Sequence, residues 1–158
     1  MFRVLFVCTG NICRSPTAAG IFQMLVDNGG LSDQIETDSA GIGSWHSGEA
    51  PDPRSMETAL RRGIDISAQQ ARTVRPDDFE QFNLVLAMDL SHFSALKDLC
   101  PKPLAARIRM FTDFTPRAAG QDVPDPYHGG DYGFERVFDM IETGAKGLLA
   151  EIELNHLK

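Results

Sequence analysis

The chain has 158 residues, 42% of them hydrophobic and 23% charged, which is one domain's worth of globular composition and excludes a fibrous or disordered chain. Lys and Arg number 15 against 22 Asp and Glu, and the resulting net charge of −7 repels polyanions, so neither nucleic acid nor an anionic membrane is an expected partner. The opening apolar stretch, Val4 to Cys8, is far below the roughly 20 residues that a membrane helix needs, and Arg3 stands where a secretory leader's apolar region would begin. With three cysteines, Cys8, Cys13 and Cys100, an odd number that argues against a disulfide framework, a cytoplasmic, reducing location is expected.

Phe2 to Val7 reads as a buried strand that ends in a tight loop at Cys8-Thr9-Gly10. A helix follows, with Ser15 as the expected cap and Pro16 near its start; Ala18, Ile21, Phe22, Leu25 and Val26 recur at helical spacing until Asn28-Gly29-Gly30 stops it. The pattern repeats as a strand over 34–40, a glycine-rich loop over 41–51, and a helix opened by Asp52-Pro53 and ended by Gly63. Residues 83–88 form a third strand, after which Asp89 caps a helix carrying Phe93 and Leu96. Residues 107–111 form a fourth, and a turn-rich segment leads to a last helix with Phe134, Val137, Phe138, Ile141, Ala145, Leu148 and Ile152 on one face, weakened by Gly144 and Gly147. Alternating strands and helices give an α/β fold: an open parallel sheet with helices on both faces.

In such sheets the working crevice lies beyond the carboxyl ends of the strands, so chemistry is expected in the loops that follow them. The first of these, Cys8-Thr9-Gly10-Asn11-Ile12-Cys13-Arg14-Ser15, has a thiol at one end and a guanidinium near the other, with a helix start closing it. Curled backbone amides, the helix terminus and the planar fork of Arg14 suit a tetrahedral phosphate, and the same groups favour thiolate over thiol at Cys8. The arrangement is a phosphate cradle over a nucleophilic sulfur.

Val7 to Pro16 closely resembles the signature of the low-molecular-weight protein tyrosine phosphatases, and Asp38-Ser39-Ala40-Gly41, Pro51-Asp52-Pro53-Arg54, Ala87-Met88-Asp89 and Asp125-Pro126-Tyr127 resemble that family's other landmarks in the same order. The resemblance implies a four-stranded, phosphatase I-like sheet, one such domain over 1–158, and a two-step reaction through a cysteinyl phosphate on Cys8 with no metal or other cofactor. The substrate it implies is a phosphotyrosine-containing protein. Arg14 is expected to clamp the phosphate, together with the loop residues Thr9, Gly10, Asn11, Ile12, Cys13 and Ser15. Asp125, between Pro124 and Pro126, matches the general acid that protonates a phenolate leaving group. Ser15 donates to the Cys8 sulfur or serves as the helix cap; Asp89 orients Arg14 or caps its own helix. The resemblance also implies that Asn11 organises the loop toward Ser39, in a network where relatives often carry a histidine and this chain has Gln69.

Trp45, Tyr127 and His128 are expected to form the rim, deep enough for a phenyl ring to reach the phosphate site and too deep for serine's short arm. His128 stands where many relatives have a second tyrosine. Ile12 resembles the tyrosine-directed members, whereas threonine there marks the phosphoarginine-directed ones. A reversible disulfide between Cys8 and Cys13 would block and protect the nucleophile. The four histidines, His46, His92, His128 and His156, show no paired metal spacing. Two rival readings share the cradle: an arsenate reductase, which needs further relay cysteines that the stretch 79–99 lacks and that Cys100 is not placed to supply, and a non-catalytic phosphotyrosine-binding module, which has no special need for both Cys8 and Asp125.

Overall fold

A computed structural model describes residues 1–127 and 131–157. Four parallel strands, β1 (Phe2–Cys8), β2 (Ile35–Gly41), β3 (Leu84–Ala87) and β4 (Ile108–Met110), are ordered β2-β1-β3-β4. The helices are α1 (Arg14–Asn28), α2 (Pro53–Arg61), a single turn α3 (Asp78–Gln81), α4 (Leu90–Leu99) and α5 (Asp131–Asn155). The chain winds from β1 to β2 on one side and returns to β3 on the other, so the strand order reverses between β1 and β3. Cys8 ends β1 at that reversal, where α/β sheets open a crevice.

Period-two alternation divides the core between the two faces of the sheet. Val4, Phe6 and Cys8 face α1 and α5, whereas Leu5 and Val7 face Phe79 of α3 and Leu96 of α4. Phe6 is fully buried, its ring meeting Phe22 of α1 and Phe111 after β4 edge-on at 5.7 and 5.9 Å; burying such a side chain contributes about 1.5–3 kcal/mol. This two-sided packing holds the end of β1, and with it Cys8, in one place. Among the described residues no helix is long and apolar enough to cross a membrane.

The strand boundaries lie within a residue of the expected ones, and Asp52 and Asp89 cap α2 and α4 by accepting the N–H groups of Arg54 and His92 at 2.8 and 3.0 Å. Ser15 does not cap α1. The helix begins two residues earlier than a Ser15 cap would place it, at Arg14, with Cys13 in the cap position and no side-chain cap bond; the Ser15 hydroxyl is turned instead toward the loop. The one-turn α3 and the 3-10 turns at Lys102–Arg107 and Phe111–Phe114 were not anticipated, because a turn or two is too short to establish a periodicity.

Gly144 and Gly147 have a packing role that their helix propensity hides. A Cβ at position 147 would stand 1.9 Å from the Phe114 carbonyl oxygen, and one at 144 would stand 2.5 Å from the Phe111 ring. The glycines let α5 press against the segment that follows β4. Alanine normally favours a helix by about 1 kcal/mol over glycine, but here the overpacking penalty of about 1–3 kcal/mol opposes it. Gly147→Ala is therefore expected to lower the thermal midpoint; a higher midpoint would show that the close approach carries no weight.

Candidate active site

The loop Thr9–Cys13 joins β1 to α1 and is turned so that its carbonyls point away from its hollow. Thr9 O accepts from Gly43 N at 3.0 Å, and Ile12 O accepts from Asp52 N at 2.8 Å. Among the described residues, no acceptor takes the amide protons of residues 10–15. A row of inward, unpartnered amides ending at a helix start is an anion site.

Asn11 makes the curl possible. It adopts a left-handed conformation with φ of 59°, which a side chain other than glycine holds only under local constraint. Its Nδ2 donates to Ser15 Oγ at 2.7 Å and to Ser39 Oγ at 2.9 Å, while its Oδ1 accepts from Arg72 N at 3.0 Å. Gln69 extends this network, accepting from Ser39 Oγ at 3.4 Å and donating to Pro16 O at 2.9 Å. The neighbouring strand must come close: a Cβ at Gly41 would stand 2.9 Å from Thr9 O.

Cys8 Sγ lies at the base of the hollow, 2% exposed and 3.0 Å from Ser15 Oγ. Because that hydroxyl accepts from Asn11, its own proton is left for Cys8 Sγ or for the Ala40 carbonyl at 3.4 Å. Arg14, also buried, donates through Nη1 to Asp89 Oδ2 at 2.7 Å and Val123 O at 2.9 Å, and through Nη2 to Thr9 Oγ1 at 3.2 Å. Asp89 thus both holds Arg14 and caps α4, one carboxylate oxygen for each task. Burial pushes its carboxyl up, but bonds from Ser91, Arg14 and the His92 N–H outweigh this and leave it below the usual range. Asp125 Oδ2 lies 3.6 Å from Arg14 Nη2, and its Oδ1 accepts from Tyr127 N at 3.0 Å; with its side chain 43% exposed, it faces the pocket mouth.

The pocket is about 190 Å³ and is lined by Cys8, Thr9, Gly10, Ile12, Cys13 and Arg14 below, with Trp45, His46, Asp125 and Tyr127 above. A larger groove of about 470 Å³, bordered by Gln23, Asp27, Asp38 and Gln69, runs along α1 and β2 behind the site, but its lining brings no thiol and guanidinium together. Trp45, 71% exposed, and Tyr127 stand at the entrance. His128 lies outside the described residues. All three cysteines are free. Burial first, then the charge of Asp52, pushes the Cys13 thiol up to about 12, so it is a protonated neighbour of Cys8 at neutral pH.

The sequence reading missed four contributors. His46 lines the pocket beside Tyr127, and the Arg54 guanidinium lies 5.3 Å from the Tyr127 ring centre while pairing with Asp52. The Val123 carbonyl holds Arg14 because Val123 N is itself tied to Met88 O at the end of β3, at 2.8 Å. His92, on the first turn of α4, is the fourth. Its position three residues after a capping aspartate was a usable signal for the turn, not for the contact with Thr9.

Burial, and next the Arg14 charge, push the His92 imidazole down to about 4 from its ordinary 6.5. As pH falls below 6.5 the unfolded chain therefore takes up this proton first. The stability tied to neutral His92 is full above about 6.5 and is lost between there and about 4, at most about 3 kcal/mol. Urea midpoints of the parent should fall more steeply than those of His92→Gln across this window; parallel curves would contradict the assignment.

A parallel α/β sheet whose first loop holds a buried thiol under a ring of free amides and a guanidinium defines an oxyanion-binding phosphatase-like class. Low molecular weight phosphotyrosine protein phosphatase is the family whose profile matches residues 3–157. A low molecular weight protein-tyrosine-phosphatase of Streptomyces coelicolor is 44% identical over 154 residues, covering 96% of this chain and 93% of that protein. YfkJ of Bacillus subtilis, of the same description, is 40% identical, with 97% of each chain covered. The crystal structure of a protein tyrosine phosphatase from Entamoeba histolytica superposes with a TM-score of 0.93 at 36% identity, over 98% of both chains. The chain belongs to the low molecular weight phosphotyrosine protein phosphatase family and is an enzyme of the protein-tyrosine-phosphatase class.

Proposed function

We propose that this enzyme hydrolyses phosphotyrosine in proteins through a cysteinyl-phosphate intermediate. The observation that carries the reading is the convergence of Cys8 Sγ, the free amides of the loop, Arg14 and Asp125 on one pocket walled by Trp45 and Tyr127. The phosphate sits in the amide ring, its oxygens taken by Thr9 to Ser15 and the Arg14 fork, and phosphorus faces Cys8. As the S–P bond forms, the P–O bond to tyrosine breaks, and Asp125 gives its proton to the leaving phenolate oxygen. Water then attacks phosphorus, Asp125 takes the water proton, and the S–P bond breaks to release phosphate and the Cys8 thiolate. Ser15 steadies that thiolate with its hydroxyl hydrogen. Most of the acceleration comes from the loop's donors, which are already aimed where negative charge accumulates.

The pocket walls favour an aryl phosphate, because a flat ring can stand between Trp45 and Tyr127 while phosphate rests on the loop. Three free cysteines suit the reducing cytoplasm in which the reading places the enzyme. The redox alternative gains no support from Cys100, which packs with the cluster on the sheet face opposite Cys8. The test compares phosphate release from an aryl phosphate, a phosphotyrosine peptide, a phosphoserine peptide and a phosphoarginine peptide. Turnover of the first two with little of the others supports the reading. Arsenate-driven oxidation of thioredoxin with no aryl phosphate turnover would replace it with the reductase, and tight phosphotyrosine binding without turnover with the binding module.

A further inference from the structure

His92 packs beside the guanidinium that the proposed reaction depends on, its Nε2 in contact with both Thr9 and Arg14. Its side chain is 3% exposed. Nε2 lies 2.7 Å from Thr9 Oγ1 and 3.4 Å from Arg14 Nη2, while Nδ1 lies 3.3 Å from Asp89 Oδ1 without a well-aligned bond. A guanidinium can only donate. Arg14 Nη2 gives one proton to Thr9 Oγ1 and faces His92 Nε2 with the other, so Nε2 is the acceptor there; the Thr9 hydroxyl proton is then directed to Nε2, and the ring's own proton falls on Nδ1, facing Asp89. The other Asp89 oxygen holds Arg14 Nη1.

We propose that neutral His92 is a positioning residue for phosphate binding, fixing the Thr9 hydroxyl and the Arg14 fork, and that protonation of its ring dismantles that arrangement. This rests on the phosphoryl-transfer reading above. The reason for an imidazole here is electrostatic: a neutral acceptor satisfies the donors without cancelling the charge that Arg14 must present to phosphate, whereas another carboxylate would cancel it. The groups facing the ring are Arg14 from α1, Asp89 at the head of α4, and Asp122 and Asp125 from the segment after β4. Burial and Arg14 outweigh the three carboxylates and keep the ring neutral at physiological pH. Once protonated, Nε2 becomes a donor, cannot receive the Thr9 proton, and sets a second cation 3.4 Å from the guanidinium.

The test uses His92→Gln, whose amide oxygen can still accept but does not titrate, and His92→Leu, which cannot accept. Calorimetry with inorganic phosphate and kinetics with an aryl phosphate should show His92→Leu weakened roughly tenfold in both Kd and kcat/KM, the scale of a lost hydrogen bond to a charged group, with His92→Gln restoring most of it. The kcat/KM of the parent relative to His92→Gln should fall by about half as pH drops to about 4. Nitrogen NMR of the parent should place the ring proton on Nδ1 at neutral pH, a readout independent of turnover and of how the variants fold. A proton on Nε2, a pH-independent ratio, or a His92→Leu protein with parental phosphate affinity and kinetics overturns the proposal. A parent with the expected tautomer that binds no phosphate and turns over no aryl phosphate instead removes the underlying functional reading.

Discussion

Cys8→Ser is expected to lower turnover of aryl phosphate by roughly 10⁴-fold or more while leaving phosphate binding and the fold nearly intact. Sγ is buried, fills the end of β1 and touches Ser15 Oγ, so an oxygen in its place changes volume little. The reactivity changes greatly, because an alcohol at this site has no general base within reach on the attacking side: its neighbour is the Ser15 hydroxyl. The amides of residues 10–15 and Arg14 remain in place, and a non-hydrolysed phosphotyrosine peptide should bind with near-parental affinity. A Cys8→Ser protein with parental kcat would remove the nucleophile from the account, and one that neither turns over nor binds phosphate would mean that the cradle had collapsed.

Asp125→Asn is the second large effect, and it should depend on the leaving group. A tyrosine phenolate, with a pKa of about 10 in its free phenol, departs poorly unless protonated, so loss of the proposed acid should cost about 10²- to 10⁴-fold. For a nitrophenyl-type ester, whose phenolate leaves unaided, the loss in the first step should be far smaller. Asparagine keeps an oxygen able to accept the Tyr127 N–H, so the turn that carries residue 125 is preserved. Losses of equal size for good and poor leaving groups would assign Asp125 to binding through its 3.6 Å approach to Arg14 and not to proton transfer.

The loop from Cys8 to Ser15 was readable because its local signals agree: an apolar run ends at a cysteine, and a Ser-Pro pair marks a helix start beside an arginine. The sheet was readable from the short apolar blocks of β1 and β3, whereas the largely polar β2 was legible only through the repeat of strand, glycine-rich loop and helix start. What escaped depends on residues far apart in the chain. His92 meets Thr9 across 83 positions, and Arg14 finds the Val123 carbonyl across 109; no spacing encodes such pairs. The Ser15 cap was lost to competition within the site, since its hydroxyl serves Cys8 and Asn11 in preference to the helix end. Gly144 and Gly147 looked like weaknesses of α5 because propensity is local, whereas their use is the close passage of Phe111 and Phe114.

The central claim is covalent: phosphorus passes through the Cys8 sulfur. Its most direct test is rapid quenching of the enzyme during turnover of a good aryl phosphate, followed by mass spectrometry of the peptides. The account predicts a single phosphoryl group on the peptide carrying Cys8, present at steady state and accumulating when Asp125 is replaced by asparagine and the second step is slowed. Turnover with no label on Cys8, or with the label on a serine or histidine, would contradict it.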